Sequence, residues 1–323
     1  METGKPLISI LMAVYEPRLD WLREQLKSLE AQTYPNLKLY IRDDCSPTVP
    51  FEEIRKCVAE CIKSFPYEVQ RNEANLGSSL TFEWLTEEAE GKYFSYCDQD
   101  DVWLPEKLTV LQEEMEKNGA ELVCSDMYII DEDGKQTADS ITKIRRHHVF
   151  RSGEGLAEDL LISNFAAGCT TLIRSEQAKA AVPFCPYMVH DHYLALCAAE
   201  RGKIISVPKQ LISYRVHRAN QTGLMAGVMD KESYGTVRIN TMLNRLLWLR
   251  ENFPCSEETS AAVEARLAWA KARRSNWDHN GGKRVVWKYR SFSLVPSLFE
   301  IFANWIPEPA FQVFLMIGKR NLV

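Results

Sequence analysis

Tyr93-Phe94-Ser95-Tyr96-Cys97-Asp98-Gln99-Asp100-Asp101-Val102-Trp103 is the stretch on which the reading of this chain turns. An apolar, strand-like run ends abruptly in three carboxylates, two of them spaced as Asp-x-Asp. The period-two alternation of an extended chain puts Asp98 and Asp100 on one side. There they repel each other unless a cation sits between them. Hard carboxylate oxygens suit Mg²⁺ or Mn²⁺, which usually keep open positions for phosphate oxygens. The competing reading is an acidic turn capping a helix that begins near Pro105, because Asp is common at helix starts. The rest of the chain decides between the two.

Upstream of the motif, strand and helix signals alternate. Residues 7–14 read as a buried strand. Leu22, Leu26 and Leu29 recur at helical spacing over 20–33, behind Asp20 as a candidate N-cap. Residues 37–41 form a second strand ending at Asp43-Asp44-Cys45-Ser46-Pro47, and a helix over about 51–65 follows. A short strand over 67–70 runs into Asn72 and Asn75-Leu76-Gly77, then 78–89 reads as helix and 92–97 as the strand that carries the carboxylates. Repeated units of this length predict an α/β fold with a mainly parallel sheet and helices on both faces. Ligands bind beyond the carboxyl ends of such strands, and Asp43, Asp44, Asn75, Asp98 and Asp100 all fall at or just after those ends.

Downstream, 106–118 reads as a helix with Leu108, Leu111 and Met115 inward, 122–130 as a strand and 131–134 as a turn. The polar, basic segment 137–152 reads as a mobile loop. Gly168-Cys169-Thr170-Thr171 reads as a small-residue turn feeding a strand. Beyond Asn220 the pattern changes to long helices, around 237–251 and 261–276.

Composition is that of a globular protein, with 46% hydrophobic and 26% charged residues. The net charge of −5 argues against a general nucleic-acid binder. From 235 to 323, however, thirteen Lys and Arg stand against seven Asp and Glu, a local +6 that leaves −11 for the remainder. Nine scattered cysteines, with no Cys-x-x-Cys, read as reduced thiols rather than a disulfide framework or zinc site. No window reaches the roughly 18–20 apolar residues of a membrane span. The expectation is a cytoplasmic chain, with the basic, aromatic C-terminal segment either a packed helical subdomain or a peripheral contact with the inner face of the cell membrane.

Ser9-Ile10-Leu11-Met12-Ala13-Val14-Tyr15, Arg42-Asp43-Asp44-Cys45-Ser46, Asn75-Leu76-Gly77 and Cys97-Asp98-Gln99-Asp100-Asp101-Val102-Trp103 form an ordered set. Taken together they resemble the large family 2 of inverting, nucleotide-sugar-dependent glycosyltransferases with a GT-A type fold. The resemblance covers about residues 5–225. Asp-Gln-Asp-Asp-x-Trp, with the later Tyr214-Arg215-x-His217-x-x-Asn220, is similar to the rhamnosyltransferase branch that builds bacterial surface polysaccharides. The family often has Gly where Cys45 stands, Asp where Thr48 stands and an aromatic pair where His192-Tyr193 stand. It implies a glycosyltransferase domain over 1–225, with its donor half about 1–104 and its acceptor half about 105–225, and a helical C-terminal extension over 226–323.

The resemblance also implies roles. A divalent metal, Mg²⁺ or Mn²⁺, would stabilise the departing diphosphate; Asp100 is the expected ligand, with His217 completing the shell and Asp98 contacting metal-bound water or ribose. The null for His217 is a histidine making one hydrogen bond. Asp44 would accept from N3–H of a uracil or thymine ring, or simply form a turn. Ala13, Tyr15, Asn75, Gly77 and Gln99 would line the nucleotide, although Asn75 and Gly77 equally suit a turn. Asp191 would be the general base that takes the acceptor's proton; its alternative is an N-cap ahead of Tyr193. Trp103, Gly168, Cys169 and His190 are expected on the acceptor side. The implied donor is dTDP-L-rhamnose, with a UDP-hexose as alternative, and the partner a saccharide or lipid-linked saccharide acceptor.

Two rivals belong to other classes. A strand followed by Asp98-x-Asp100-x-Val102 also fits the haloacid-dehalogenase type of phosphotransferase, but that motif follows the first strand of its core, whereas about ninety residues precede it here. A nucleotide-sugar-binding scaffold without catalysis is the other, and the joint presence of Asp98, Asp100, Asp191 and His217 argues against it.

Overall fold

A computed structural model describes residues 4–145, 148–217, 227–303 and 305–320. The strands are β1 Ile8–Val14, β2 Leu37–Asp43, β3 Tyr67–Arg71, β4 Tyr93–Cys97, β5 Val102–Trp103, β6 Leu122–Ile130, β7 Gln136–Ala138, β8 Thr171–Arg174 and β9 Ile204–Arg215. They join one sheet in the order β3-β2-β1-β4-β8-β6-β9-β5, with β7 paired to β6. The first four are parallel. β8 then runs antiparallel to both β4 and β6, β9 is parallel to β6, and β5 antiparallel to β9. The fold is therefore α/β with a parallel half and a mixed half.

Period two is visible in β1 and β4. Ile8, Ile10, Met12 and Val14 are buried in one cluster with Leu22, Leu26 and Leu29 of α1 (Leu19–Glu30), Ile54 and Val58 of α2 (Phe51–Cys61) and Leu108 and Leu111 of α4 (Lys107–Asn118). Tyr96 turns the other way and meets α3 (Ser78–Glu88), where its hydroxyl lies 2.8 Å from Thr86 Oγ1. Alternation thus covers both faces of the sheet. Asp20 is in the first turn of α1 rather than its N-cap, which is Arg18 without a side-chain cap bond. The carboxylate still favours the positive end of the helix from there. The segment expected as a mobile loop contains β7 and a helical turn at Ile141–Ile144, whose N-cap Ser140 accepts from Thr142 N. Its polar composition hid a short strand that pairs only at the edge of β6.

The chain divides into two compact units, Met1–Leu156 with Asn164–Phe184 and Val189–Arg218, and Ala157–Ser163 with Cys185–Met188 and Ala219–Val323. The second is helical: α6 Thr241–Asn252, α7 Glu257–Trp277, α8 Leu294–Ala303 and α9 Glu308–Arg320, joined by shorter turns. Among the described residues no helix is long and apolar enough to cross a membrane. At its centre Glu300, fully buried, receives Arg273 Nε at 2.6 Å and Tyr234 Oη at 3.0 Å. Removing one partner of a buried pair strands the other's charge, at about 3–5 kcal/mol. Glu300→Ala is therefore expected to lower the melting temperature of this unit sharply. A melt unchanged from the parent chain would show that Arg273 finds water or another partner.

Candidate active site

Both halves of the sheet end their strands around the same group of carboxylates. β4 stops at Cys97, so the alternation that predicted Asp98 and Asp100 on one side lapses in the turn that follows. Asp98 instead faces Asp101 and Cys169, with ligand atoms all within 4.8 Å. Asp100 turns away to His217, its Oδ2 lying 2.7 Å from Nε2. Asp101, fully buried, accepts from the backbone N–H of Arg215 at 3.0 Å. Arg215 in turn donates through Nε to the carbonyl of Asp100 at 2.8 Å and pairs with Glu24 of α1 at 2.5 Å. The last strand of the sheet is thereby tied to the motif, and His217 follows it by two residues. Asn220 lies outside the described residues.

Burial first, then the charges of Asp100 and Asp191, pushes the Asp98 carboxyl up to about 7, against the opposing pull of Lys107. Asp101 is likewise held well above the usual carboxylate range, by burial and then by Asp100 and Asp98. Lys107 is the residue that sequence reasoning missed. It is fully buried, its Nζ donates to the carbonyl of Cys169, and it stands 3.0 Å from the centre of the Trp103 ring. Burial depresses it to about 7, partly offset by Cys169, Cys97 and the carboxylates. The only hint in the sequence was a lysine at the start of a helix, where a cation opposes the dipole. Burial, then the charges of Asp101 and Asp98, pushes the Cys169 thiol well up.

Carboxylates this closely gathered in a dry setting fit a hard divalent cation. The side chains that meet are Asp98, Asp101 and Cys169 rather than the expected Asp98 and Asp100, while Asp100 pairs with His217 beside them; oxygen and imidazole are ligands Mn²⁺ and Mg²⁺ accept. Asp101 belongs to that group and also accepts from Arg215 N.

Asp191 lies across the group on α5 (His190–Arg201). It is not the N-cap, which is Val189. Its Oδ2 accepts from Gly168 N at 2.9 Å and its Oδ1 from His192 N at 2.6 Å. It is also close enough to Asp98 to raise it. A Cβ on Gly168 would lie 3.0 Å from His190 Nε2 and 3.1 Å from Asp191 Cβ, so the turn comes close to both only because residue 168 has none. His190 packs against Phe82 and Tyr96 at 4.0 and 5.2 Å, and burial lowers it to about 4. His192 and Tyr193 are buried.

At the parallel edge, Asp44 anchors a loop. Its Oδ1 accepts from Asn72 Nδ2 and Leu76 N and its Oδ2 from Gly77 N, all at 2.8 Å. Three donors, two of them from the 75–77 turn, thus occupy Asp44, and Oδ2 keeps an acceptor position. Gly77 sits at φ +82°, a backbone that favours glycine, and Asn75 is exposed. Gln99 is spent on the backbone of Tyr15, accepting from its N at 2.8 Å and donating to its O at 3.0 Å. This clasp holds the loops after β1 and β4 together, with Ala13 half-buried and the Tyr15 ring exposed beside it. Trp103 is a core residue rather than a wall of the cleft. β5 pairs with β9 and its backbone N–H donates to Ser28 Oγ, which turns the indole inward.

Residues 9–178 match the family described as Glycosyl transferase family 2. An uncharacterized glycosyltransferase of Methanocaldococcus jannaschii is 34% identical over 134 residues, 41% of this chain and 46% of that protein, so the chain spans about half of that relative. The putative teichuronic acid biosynthesis glycosyltransferase TuaG of Bacillus subtilis is 25% identical over 57% of this chain and 68% of its own length. Among solved structures, the mannosyltransferase PcManGT of Pyrobaculum calidifontis, in complex with GDP-Man and Mn²⁺, superposes with a TM-score of 0.58 at 13% identity. That superposition covers 92% of this chain and 78% of the other.

Proposed function

The chain belongs to glycosyl transferase family 2, and from that premise we propose that it is a metal-dependent, inverting enzyme of bacterial surface polysaccharide synthesis. The observation that carries the reading is the meeting of two acidic groups at one turn: Gly168 N donates to Asp191, and the next residue, Cys169, lies with Asp98 and Asp101. One group suits a cation and a diphosphate; the other suits a proton. The relative named for teichuronic acid biosynthesis supports the polysaccharide assignment, and the neighbour holding GDP-Man and Mn²⁺ supports a nucleotide sugar with a divalent metal.

Asp100, His217 and Asp98 would hold the metal, which when bound supplies positive charge to the leaving diphosphate. The Asn75–Gly77 turn, braced by Asp44, and the Tyr15–Gln99 clasp shape the nucleotide side of the cleft. The Asp191 carboxylate takes the proton of the acceptor hydroxyl as that oxygen bonds to the anomeric carbon. The bond from that carbon to the diphosphate oxygen breaks on the opposite face, and its electron pair leaves with the diphosphate. A single backside displacement inverts the centre and needs no protein nucleophile. Gly168 N and His192 N fix the carboxylate for this task, so Asp191 is oriented before the acceptor arrives.

The donor of first choice is dTDP-L-rhamnose, and a UDP-hexose is the alternative. A saccharide acceptor carried on a lipid would bring the enzyme to the inner face of the cell membrane. Incubation with a panel of nucleotide sugars, scored for nucleotide diphosphate release and transfer, tests the reading. Turnover of dTDP-L-rhamnose above the other donors is the expected result, turnover of a UDP-hexose instead replaces the donor, and no turnover of any donor with metal present overturns the transferase. Gly168→Ala is expected to lower transfer by roughly tenfold, because its Cβ would lie 3.1 Å from Asp191 Cβ and so shift a positioned carboxylate slightly, while donor affinity measured by titration stays near that of the parent. Equal rates would show that the turn yields without moving the carboxylate.

A further inference from the structure

Within the C-terminal unit, α8 is apolar on both faces: Ile301 and Ala303 are buried, yet its outer side is apolar too. Its inward face carries Ser297 and Glu300, both fully buried; Ser297 Oγ accepts from Trp269 Nε1 at 3.1 Å and Glu300 from Arg273. Its outward face carries Leu294, Val295, Leu298 and Phe302, which fall within about 100° of arc at the helical repeat. Val295 and Phe302 are 66% and 65% exposed, and Trp305, just after the helix, is 65% exposed. An amphipathic helix on the surface of a monomer turns a polar face outward. The exposed surface continues onto α9, where Phe314 packs 5.2 Å from Phe299 and is itself exposed beside Val313.

The edge of this face is basic. Lys283 Nζ stands 5.0 Å from the Trp305 ring, and Arg290 lies 4.5 Å from the exposed Trp287 ring. Arg284 and Lys288 are exposed between them. A cleft of about 420 Å³ opens here, with His279, Lys283, Arg284 and Trp305 in its walls. From 283 to 323 six Lys and Arg stand against two Asp and Glu, and one of those two, Glu300, is the buried partner of Arg273.

We infer that this face docks on an anionic lipid surface. Apolar and Trp side chains bordered by Lys and Arg match the two layers of a bilayer interface, acyl boundary below and phosphate headgroups above. A second copy of the chain fits less well, since a two-fold contact would set the same basic edges against each other. The inference goes beyond the transferase reading and uses none of its residues, and it is tested without turnover, so either can fail alone.

The full chain is expected to cosediment with vesicles of mixed phosphatidylcholine and phosphatidylglycerol, to ignore phosphatidylcholine alone, and to be released by salt. Replacing Arg284, Lys288 and Arg290 with Gln should weaken binding roughly a hundredfold, at about fivefold for each charge. Val295→Ser with Phe302→Ser should abolish it at an unchanged melting temperature, the two residues being 66% and 65% exposed. No binding to the anionic vesicles overturns the inference, as does equal binding to both vesicle types. Serine variants that keep vesicle binding but turn a dimer into a monomer by light scattering overturn it too, and make the face a contact between copies.

Discussion

Asp191→Asn is expected to transfer sugar roughly 10²–10⁴-fold more slowly than the parent chain, the usual worth of a positioned general base. The amide cannot take the acceptor's proton, yet it fills the same space. The helix survives because Val189, not Asp191, is its N-cap. The cost to the fold is small and specific. Asp191 receives Gly168 N on one oxygen and His192 N on the other, and an amide has only one oxygen to offer. One of those two bonds is lost, at about 1 kcal/mol, so the melting temperature falls slightly while the rate collapses. Donor affinity, read by titration with a nucleotide sugar, stays near that of the parent. A variant that transfers at near the parent rate would make Asp191 a brace between helix and turn, and the base would have to be sought elsewhere.

Chelation should remove activity as completely, and Mg²⁺ or Mn²⁺ should restore it. A cation facing a departing diphosphate contributes several kcal/mol, so its loss costs at least roughly 10³-fold. Asp100→Ala should reproduce that loss without rescue by added metal. The variant remains folded, because the charge of Asp100 raises both Asp98 and Asp101 and the repulsion relieved offsets loss of the hydrogen bond to His217. Circular dichroism with a chelator titration separates the two effects. Full transfer in excess chelator, with metal removal verified, would break the assignment of this cluster.

The parallel half of the fold was legible because period-two strands and period-3.6 helices repeat there at regular intervals, each ending in a polar turn. Strand β6 was read at its observed ends. The mixed half was harder. Whether β8 and β9 run with or against their neighbours depends on contacts between residues fifty to a hundred apart, for which one sequence carries no local signal. Within the site, residue types were readable and their pairings were not. Asp98 and Asp100 part company because β4 ends one residue before the motif, and alternation holds only within a strand. Gln99 clasps the backbone of Tyr15, a pairing the sequence could not show, since an amide matches a backbone N–H and C=O as readily as a ligand. Lys107 was passed over because nothing in an amphipathic pattern distinguishes a lysine that faces inward. Cys45 was legible in retrospect only: it sits at φ +61°, the left-handed region, where the resembled family often has Gly and any other residue costs about 1–2 kcal/mol.

Arg215 has a consequence for how the protein is made. Its backbone N–H closes Asp101 and its guanidinium reaches the carbonyl of Asp100, partners more than a hundred residues earlier. Translation runs from the N-terminus, and domains fold as they emerge. The acidic turn therefore leaves the ribosome well before the strand that satisfies it. Until β9 is delivered, the nascent chain holds three carboxylates and a buried lysine with one wall missing, and only with His217 does the cluster acquire its last expected ligand. Completion of the acidic centre is thus tied to delivery of the last strand of the sheet.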